Sequence, residues 1–361
     1  MKSPTSRPWI KNAWYQAAWN FELKENEMLA KKILNIPLVF FRDPSGKVRV
    51  LKDQCPHRFA PLSIGELKED GSIMCGYHGL CFNGAGECTD NPHGRIFPGL
   101  HVETYVVVEK YEAIWVWLGE KNWADESQIP DWSFVSAMPE ASRAWGYLHN
   151  TVDYRLMIDN ILDLSHADYL HADTLGGGIT TKAKTKVVDN ENSVKITWTA
   201  ESEELPPLMA EALGGKGAVG DYQASALWSA PSQMLIDVRF GPEGTVENLP
   251  YGGLGIHSFT PETERTLHYF YCTIDERLRH NPEMTSGLKA ALEHVFKNED
   301  GPMVRAQNDN IGGRDFWEMN PILLPVDKAA GKVRRKMDAM IAADELRERD
   351  FKRGEIQEVQ D

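Results

Sequence analysis

Two short segments of the chain each pair one cysteine with one histidine. They are Cys55-Pro56-His57 and Cys75-Gly76-Tyr77-His78, and seventeen residues lie between them. Zinc fingers usually set their two cysteines together and their two histidines together, whereas here the two residue types alternate. Alternation suits a [2Fe–2S] cluster in which two thiolates hold one iron and two imidazoles hold the other. From these residues alone, a structural zinc site remains the alternative.

A second histidine pair, His166 and His171, lies about 90 residues further on. A spacing of five corresponds to about 140° around an ideal helix, so both rings can face one ion only if the helix ends or bends near Tyr169. Two imidazoles and one carboxylate form a triad that leaves positions open for O₂ on Fe(II). The candidates for the carboxylate are Asp300, Glu299, Asp309 and Asp173. Asp300 is preferred over Asp309 because it follows an apolar helix stripe and can point inward.

Composition narrows the class of protein. The chain has 361 residues, 42% of them hydrophobic, which predicts two domains with buried cores. A formal charge of −14 argues against binding to nucleic acid or to anionic membranes. Five cysteines do not suggest a disulfide framework, and neither a signal peptide nor an apolar run of membrane-spanning length is recognised. These features predict a cytoplasmic protein.

The order of predicted elements favours an α+β fold. After a tail of residues 1–11, residues 12–125 read as short strands and turns, which predicts an all-β domain. A linker over residues 126–145 precedes a second domain, residues 146–361. In that domain a helix over 153–171 is followed by strands and by helices over 286–296 and 336–352. This order predicts a helix-grip arrangement, an antiparallel sheet packed on a long helix.

Both metal motifs resemble those of Rieske non-haem iron aromatic-ring oxygenases. Residues 55–63 and 75–82 resemble the cluster loops of this family, and residues 159–171 resemble its mononuclear iron segment. The resemblance is closest to the vanillate O-demethylase and dicamba monooxygenase branch of terminal oxygenase components, through residues 91–94 and 257–264. It extends from residue 12 to the C-terminal helix.

The resemblance implies a role for each motif residue. The Rieske cluster would be held by Cys55, His57, Cys75 and His78. The mononuclear Fe(II) would be held by His166, His171 and Asp300. Asn160 would lie near this iron, and Asp163 would link an iron-bound histidine to a cluster histidine of a neighbouring subunit in a homotrimer.

The same resemblance implies the oxygenase component of a multicomponent monooxygenase. A ferredoxin, a ferredoxin reductase or both would deliver electrons from NAD(P)H, and O₂ would be the co-substrate. The expected reaction is O-demethylation or hydroxylation of an aromatic compound. N-demethylation and ring dihydroxylation are the alternatives within the family. A non-catalytic Rieske electron carrier is the alternative from another class, although it leaves His166 and His171 without a role.

The substrate pocket is predicted from strand alternation and from the resemblance. On the strand over 234–240, Ile236, Val238 and Phe240 share one face and are expected to line the pocket. His257 and Ala291 match pocket positions of the dicamba branch, where larger or more polar residues correspond to Ile236 and Ala291. We therefore expect a roomier and less polar pocket.

Overall fold

The computed structural model describes residues 8–172 and 174–354, except for the side chain of Leu208. Asp173, one candidate for the third iron ligand, lies outside the described residues, as does most of the predicted tail. The chain divides into two compact units. The first contains residues 1–129, 260–263 and 343–361, and the second contains residues 130–259 and 264–342.

The first unit is built from short strands in three small antiparallel sheets. One sheet has the order β1-β10-β9, a second β2-β3-β4 and a third β5-β6-β7-β8. Their bounds are β1 Trp14–Trp19, β2 Met28–Ile33, β3 Ile36–Arg42, β4 Val48–Lys52, β5 Glu66–Leu67, β6 Ile73–Met74, β7 Cys81–Phe82, β8 Cys88–Asp90, β9 Val106–Lys110 and β10 Ala113–Trp117.

The third sheet and the strands beside it position the two Cys–His segments. The first segment follows β4, and the second connects β6 to β7. Cys55 and Cys75 belong to a buried cluster with Leu62, Ile73 and Phe82. The apolar core therefore fixes the positions of both thiols.

The C-terminal helix contributes to both units. This helix, α8, covers Lys328–Lys352, and its residues from Ala343 onward belong to the first unit. There the Asp344 carboxylate accepts hydrogen bonds from the Lys11 and Asn12 backbone N–H groups. The sequence places all of residues 146–361 in one domain, so the structure differs in this segment and in residues 260–263. Side-chain contacts of this kind are not visible in a hydropathy pattern.

The second unit is organised around a seven-stranded antiparallel sheet of order β11-β17-β16-β15-β14-β13-β12. Its strands are β11 Ala144–Asn150, β12 Lys184–Asp189, β13 Ser193–Glu204, β14 Val219–Ser229, β15 Gln233–Gly241, β16 Tyr251–Thr263 and β17 Thr266–Asp275. Alternate residues of these strands face one buried core, which includes Trp198, Ala226, Met234 and Tyr269.

The second unit also contains helices, several of which pack against this core. They are α1 Ser133–Ser136, α2 Tyr154–Leu162, α3 Ala167–Leu170, α4 Ile179–Lys182, α5 Pro207–Ala210, α6 Pro282–His294 and α7 Gly301–Ile311. Residues Val295–Asp300 connect α6 to α7 as a π-helix, so helical backbone is continuous from α6 to α7. The predicted α+β class, a β domain followed by a sheet packed on helices, is confirmed.

The predicted helix over 153–171 is interrupted earlier than expected. α2 ends at Leu162, and Asp163 adopts an extended backbone with φ −128° and ψ 83°. A 3₁₀ turn, Leu164–His166, and α3 follow. The predicted end of the helix near Tyr169 is confirmed, since α3 ends at Leu170 and His171 leaves the helical conformation with φ −116° and ψ 30°. The chain also breaks earlier, at Asp163, whose carboxylate accepts the Ser165 backbone N–H and so caps the new turn.

Candidate metal centres

The two Cys–His segments of the first unit fold into matching loops. Cys55 donates its N–H to the Ala60 carbonyl and accepts from the Phe59 N–H. Cys75 makes the same pair of bonds with Leu80 and Gly79. The fourth residue after each cysteine is left-handed, with φ +62° at Phe59 and +73° at Gly79. Glycine adopts this conformation easily, whereas Phe59 adopts it under strain, which is common at functional sites.

The loops bring the four predicted cluster residues together. Cys55 and Cys75 are each 1% exposed. The rings of His57 and His78 lie with their centroids 4.5 Å apart, nearer the surface. Burial raises the pKa of the Cys55 thiol to about 11, with neighbouring Cys75 adding to the effect. Burial and the nearby His57 lower the pKa of His78, which favours the neutral imidazole that binds metals.

Residues around the second loop hold His78 in place. The His93 Nε2 lies 2.9 Å from the His78 carbonyl oxygen. The Tyr77 ring lies 4.0 Å from the His78 ring, measured between centroids, and is exposed. Two buried sulfurs and two imidazoles nearer the surface fit the donor set of a [2Fe–2S] cluster that two thiolates and two imidazoles would hold.

In the second unit, His166 and His171 lie at the two ends of the short helix α3, and their side chains come together. The centroids of the two rings lie 5.1 Å apart. The Asp300 Oδ1 lies 3.4 Å from His166 Nε2 and 3.2 Å from His171 Nε2. One donor atom from each of the three residues lies within 4.8 Å of the others, as a shared metal ion requires. Two imidazoles and one carboxylate are the donor set of non-haem Fe(II) sites.

The electrostatics of this site favour a bound cation. Burial opposes ionisation of Asp300, but hydrogen bonds to His166 and His171 outweigh it and hold the pKa of its carboxyl below the usual value. Burial likewise opposes charge on His171, but Asp300 and Glu299 outweigh it and raise its pKa. A metal ion bound by these three residues would replace the proton that Asp300 and Glu299 favour on His171.

Three neighbours fix the orientation of the donors. The His171 Nδ1 lies 2.6 Å from Glu299 Oε2, and the His166 Nδ1 contacts the Asp163 backbone carbonyl. The Asn160 amide donates to Asp300 Oδ1 over 3.0 Å. Each imidazole thus presents Nε2 to the centre while an oxygen holds Nδ1. Asn160 lies beside the triad, as predicted.

The other acidic candidates lie elsewhere or act differently. Asp309 is exposed on α7 and lies 3.6 Å from Arg265. Glu299 contacts the far nitrogen of His171 and so acts as its partner. The sequence predicts Glu299 only as a candidate iron ligand. Its contact with His171 joins residues 128 positions apart, and such a contact leaves no local pattern in the sequence.

The Asp163 carboxylate is hydrogen-bonded to Ser165. It accepts from the Ser165 N–H and hydroxyl, and its side chain is only partly buried. Asp163, Asn160 and His166 also line a cavity of about 280 Å³, together with Asp159 and Arg334. The iron site therefore has an accessible side at Asp163.

Four of the five predicted pocket residues lie on the core-facing side of the sheet. Ile236 pairs with Gly255 across β15 and β16, and Val238 pairs with Gly253. Both are only half-buried although they lie mid-strand. Phe240 is buried, with Tyr251 beside it.

The remaining prediction, Ala291, does not lie with this group. It is exposed on α6, and the neighbouring Leu292 packs against the core instead. Successive residues of a helix differ by about 100° in direction, so Ala291 and Leu292 face different sides of α6.

His257 lies between the pocket residues and the metal triad. It is 4% exposed, its Nδ1 lies 2.7 Å from the Tyr269 hydroxyl, and its ring lies 5.6 Å from that of Phe296. Phe296 belongs to the π-helix that ends at Asp300. Burial lowers the pKa of His257 to about 3, so the ring is neutral. Tyr269 is absent from the sequence-based predictions, since a lone tyrosine on a strand has no distinguishing pattern.

Family models match both units of the chain. A Rieske [2Fe–2S] domain matches residues 13–106, and a vanillate O-demethylase oxygenase C-terminal domain matches residues 151–343. The oxygenase component of dicamba O-demethylase from Stenotrophomonas maltophilia is 34% identical over 92% of this chain and 97% of its own length. The chain belongs to the Rieske oxygenase family of the vanillate and dicamba O-demethylases.

Other relatives extend the comparison of this Rieske oxygenase. The oxygenase component of chloroacetanilide N-alkylformylase from Rhizorhabdus wittichii is 31% identical over 93% of this chain and 96% of its own length. A crystal structure of dicamba monooxygenase bound to 3,6-dichlorosalicylic acid matches with a TM-score of 0.86 and 33% identity. It covers 95% of this chain and 99% of the relative.

Membership of the family decides between the alternatives. A Rieske [2Fe–2S] domain replaces the zinc site, and the matched C-terminal domain excludes a carrier that has the cluster domain alone. The predicted class, an oxygenase component with a Rieske cluster and non-haem iron, is confirmed at the level of the family. No helix in residues 8–172 and 174–354 has the length and apolar character needed to cross a membrane.

Proposed function

We propose that this Rieske oxygenase O-demethylates an aromatic methyl ether, using O₂ and electrons from a ferredoxin, a ferredoxin reductase or both. The observation that carries the proposal is the convergence of His166, His171 and Asp300 in the unit whose sheet presents the half-buried side chains of Ile236 and Val238 to the core. The chain also has a Rieske domain, which such a site needs as its electron source.

The residues present fit both cofactors. Cys55, Cys75, His57 and His78 would hold the [2Fe–2S] cluster, and His166, His171 and Asp300 would hold Fe(II). When bound, these groups would supply electrons one at a time and activate O₂. Overall, ArOCH₃, O₂, two electrons and two protons give ArOH, formaldehyde and water. The hydroxylated methyl group leaves as formaldehyde, and the second oxygen atom leaves as water.

The protein side chains would orient and enclose the reactants. Glu299 and the Asp163 carbonyl hold the Nδ1 atoms of His171 and His166, so that both Nε2 atoms stay directed to the centre. Asn160 fixes the Asp300 carboxylate. Ile236 and Val238 would contact the aromatic ring, and the apolar core around them excludes water.

We further propose a homotrimer in which Asp163 links the iron of one subunit to the cluster of the next. The Asp163 side chain is partly exposed and lies directly before the 3₁₀ turn that contains His166, which supports this role. His57 is exposed and its ring lies beside that of His78, which supports a surface position for the cluster histidines that such a link requires. A cytoplasmic location fits this arrangement, because the cluster thiolates need reducing conditions and the electrons come from NAD(P)H.

The proposal is tested by supplying purified oxygenase with a surrogate reductase and a panel of methoxylated aromatics. We expect formaldehyde release in equal amount to oxygen consumed, and none with His166→Ala. A Rieske absorption spectrum must persist in that variant, so that loss of activity reports the iron site. Oxygen uptake without formaldehyde for every methyl ether would contradict the proposal.

N-dealkylation is the second candidate, because the N-alkylformylase relative is nearly as similar as the O-demethylase. Matched N-methylanilines in the same panel test it. Formaldehyde from these compounds, with none from the ethers, would replace O-demethylation by N-demethylation.

A further inference from the structure

The cavity that has Asn160 and His166 in its wall also reaches exposed residues. Its volume is about 280 Å³, and side chains of α2, α7 and α8 line it. Met303 and Gln307 in its wall are exposed, whereas Leu156 is buried. A water molecule needs roughly 10–15 Å³ of such space, so the cavity has room for several.

A buried ion pair forms part of the cavity wall. Arg334 is 5% exposed, and its Nε and one terminal nitrogen lie 2.7 Å and 2.5 Å from Asp159 Oδ2. The guanidinium carbon also lies 3.9 Å from the centroid of the Phe316 ring, which fixes the arginine in place. Asp159 Oδ1 is buried and has no hydrogen-bond partner within the part of the chain that the structure describes. A buried carboxylate oxygen needs a donor, and water in the cavity can supply it.

Asn160 connects this cavity to the iron ligands. It follows Asp159 on α2 and lines the cavity. Its amide nitrogen lies 3.0 Å from Asp300 Oδ1 and 3.5 Å from His166 Nε2. The Asp163 carboxylate lies in the same wall and offers a further acceptor. Water in the cavity therefore has polar partners from Asp159 to the edge of the triad.

The charges around Asp159 suit a carboxyl group that both holds and releases a proton. Burial raises the pKa of this carboxyl, and Arg334 opposes the effect without cancelling it. Asp153 adds to the rise and Arg155 counteracts it, but these two residues also pair with each other. An acid whose pKa is shifted toward neutral pH transfers protons more readily in both directions.

We propose that this cavity holds water and that Asp159 is a proton-relay residue, which passes protons from solvent through that water to the oxygen reduced at the iron site. This inference rests on the proposed function, in which each turnover consumes two protons and forms one water. In each transfer the Asp159 carboxyl gives its proton to a cavity water, that water gives a proton to the site, and solvent restores the carboxyl. Arg334 is a positioning residue, because it holds Oδ2 and leaves Oδ1 for the water.

A crystal structure of the intact oxygenase tests the cavity without reference to activity. We expect ordered water in it, with one molecule hydrogen-bonded to Asp159 Oδ1 and further molecules leading to Asn160. A cavity without water would overturn the proposal. An Oδ1 atom whose only donors are protein groups, of this subunit or of a neighbour, would overturn it as well.

Single-turnover kinetics test the relay, with a compound from which the native enzyme releases formaldehyde. Asp159→Asn has no side-chain proton to pass on, so product formation should slow by about 100-fold while the cluster absorption and the bound iron are retained. The remaining rate should show a larger solvent isotope effect in D₂O than the native enzyme, which a merely structural defect would not produce. Asp159→Glu keeps the acid and should recover most of the rate.

The matched control is Asp237→Asn, an acid that also pairs with an arginine but lies outside the cavity wall. It should react at the native rate. Since Asp159→Asn leaves Arg334 buried and unpaired, the double variant with Arg334→Gln serves if the single variant is unstable, and it should show the same slow, isotope-sensitive reaction. A native rate, or a slow rate with an unchanged isotope effect, would overturn the relay.

Failure of the proposed function gives a different result. If neither methyl ethers nor N-methylanilines release formaldehyde, the function is wrong, and the crystal structure still decides whether the cavity supplies water to Asp159. Formaldehyde release by Asp159→Asn at the native rate would support the function and overturn the relay.

Discussion

The two histidines of the triad are oriented by different kinds of acceptor. His171 is held by the Glu299 carboxylate, and His166 by a backbone carbonyl. A carboxylate partner strengthens the basicity of the imidazole more than a carbonyl does. His171 is also the more buried of the two, with 3% of its side chain exposed against 23% for His166. We infer that His171 is the firmer anchor for the metal.

Replacing Glu299 by glutamine tests this unequal support. Glu299→Gln should lower the apparent affinity for Fe(II) by about 10- to 100-fold, because the His171 Nδ1–H loses its charged acceptor. Anaerobic Fe(II) titration with quantification of bound metal measures the change. The exposed Glu283→Gln on α6 is the matched control and should retain iron fully. Full iron retention by Glu299→Gln would show that His171 does not depend on its carboxylate partner.

Changing Asp163 separates metal binding from turnover. Asp163→Ala should keep the cluster spectrum and the bound iron, since its carboxylate contacts neither set of donors. Product formation should fall by about 100-fold or more if the carboxylate connects the two centres. The control is Asp309→Ala, an exposed acid on α7. Normal steady-state activity of Asp163→Ala would sink the bridging role.

At the scale of elements, one buried carboxylate joins several backbone segments around the sheet. Asp221 on β14 is 1% exposed and accepts the N–H groups of Ser202, Thr245 and Val246. Ser202 lies at the irregularity where the β13–β14 register shifts. The side chain thus satisfies a bulge in one strand and the turn after β15 together.

Removing this carboxylate should loosen the sheet. Asp221→Ala leaves three backbone donors without their partner, and we expect the free energy of unfolding to fall by about 3 kcal/mol. The midpoint of urea unfolding, followed by tryptophan fluorescence, measures the loss. Asp237→Ala on β15 removes a partly exposed pair with Arg239 and should change stability by less than about 1 kcal/mol. Equal effects of the two changes would contradict a special role for Asp221.

Elements with strong local patterns were predictable from the sequence, and those decided by partners were not. The strand over 234–240 alternates clearly and matches β15. β14 was not predicted, because Ala224, Ser225 and Ala226 give it little β propensity, although Ala224 and Ala226 are fully buried in the sheet. The cluster and iron motifs are local in sequence, so the sequence alone predicts their residues.

The rest of the candidate site depends on pairing between distant strands. Tyr269 contacts His257 only because β17 lies next to β16. The spacing of two residues in a sequence carries no information on such a contact. The break at Asp163 is hard to see in the sequence, because aspartate favours caps and turns but apolar residues continue on both sides of it, at Leu162 and Leu164.

At the scale of the whole molecule, the two metal centres belong to different units of the chain. Turnover needs electrons to pass from one centre to the other, and the proposed trimer provides that passage between subunits. The subunit mass is 40.7 kDa, so light scattering should give three times this value for the active species.

Complementation between two inactive variants tests transfer between subunits. Cys75→Ser removes the cluster and keeps the iron triad, whereas His166→Ala does the opposite. Each alone should be inactive, but oligomers that contain both should recover formaldehyde release, because an intact cluster then faces an intact iron site of its neighbour. Co-expression with two affinity tags and sequential purification yields the mixed species. No recovery in correctly sized mixed oligomers would indicate transfer within one chain.

The matching hydrogen bonds of the two cysteine loops bear on how the enzyme is assembled. Cys55 and Cys75 each close their loop through backbone atoms alone, and neither closure uses a sulfur or an imidazole. The bonds that close the two loops therefore do not depend on the cluster, and we expect the cluster-free domain to keep this loop geometry while it takes up iron and sulfide.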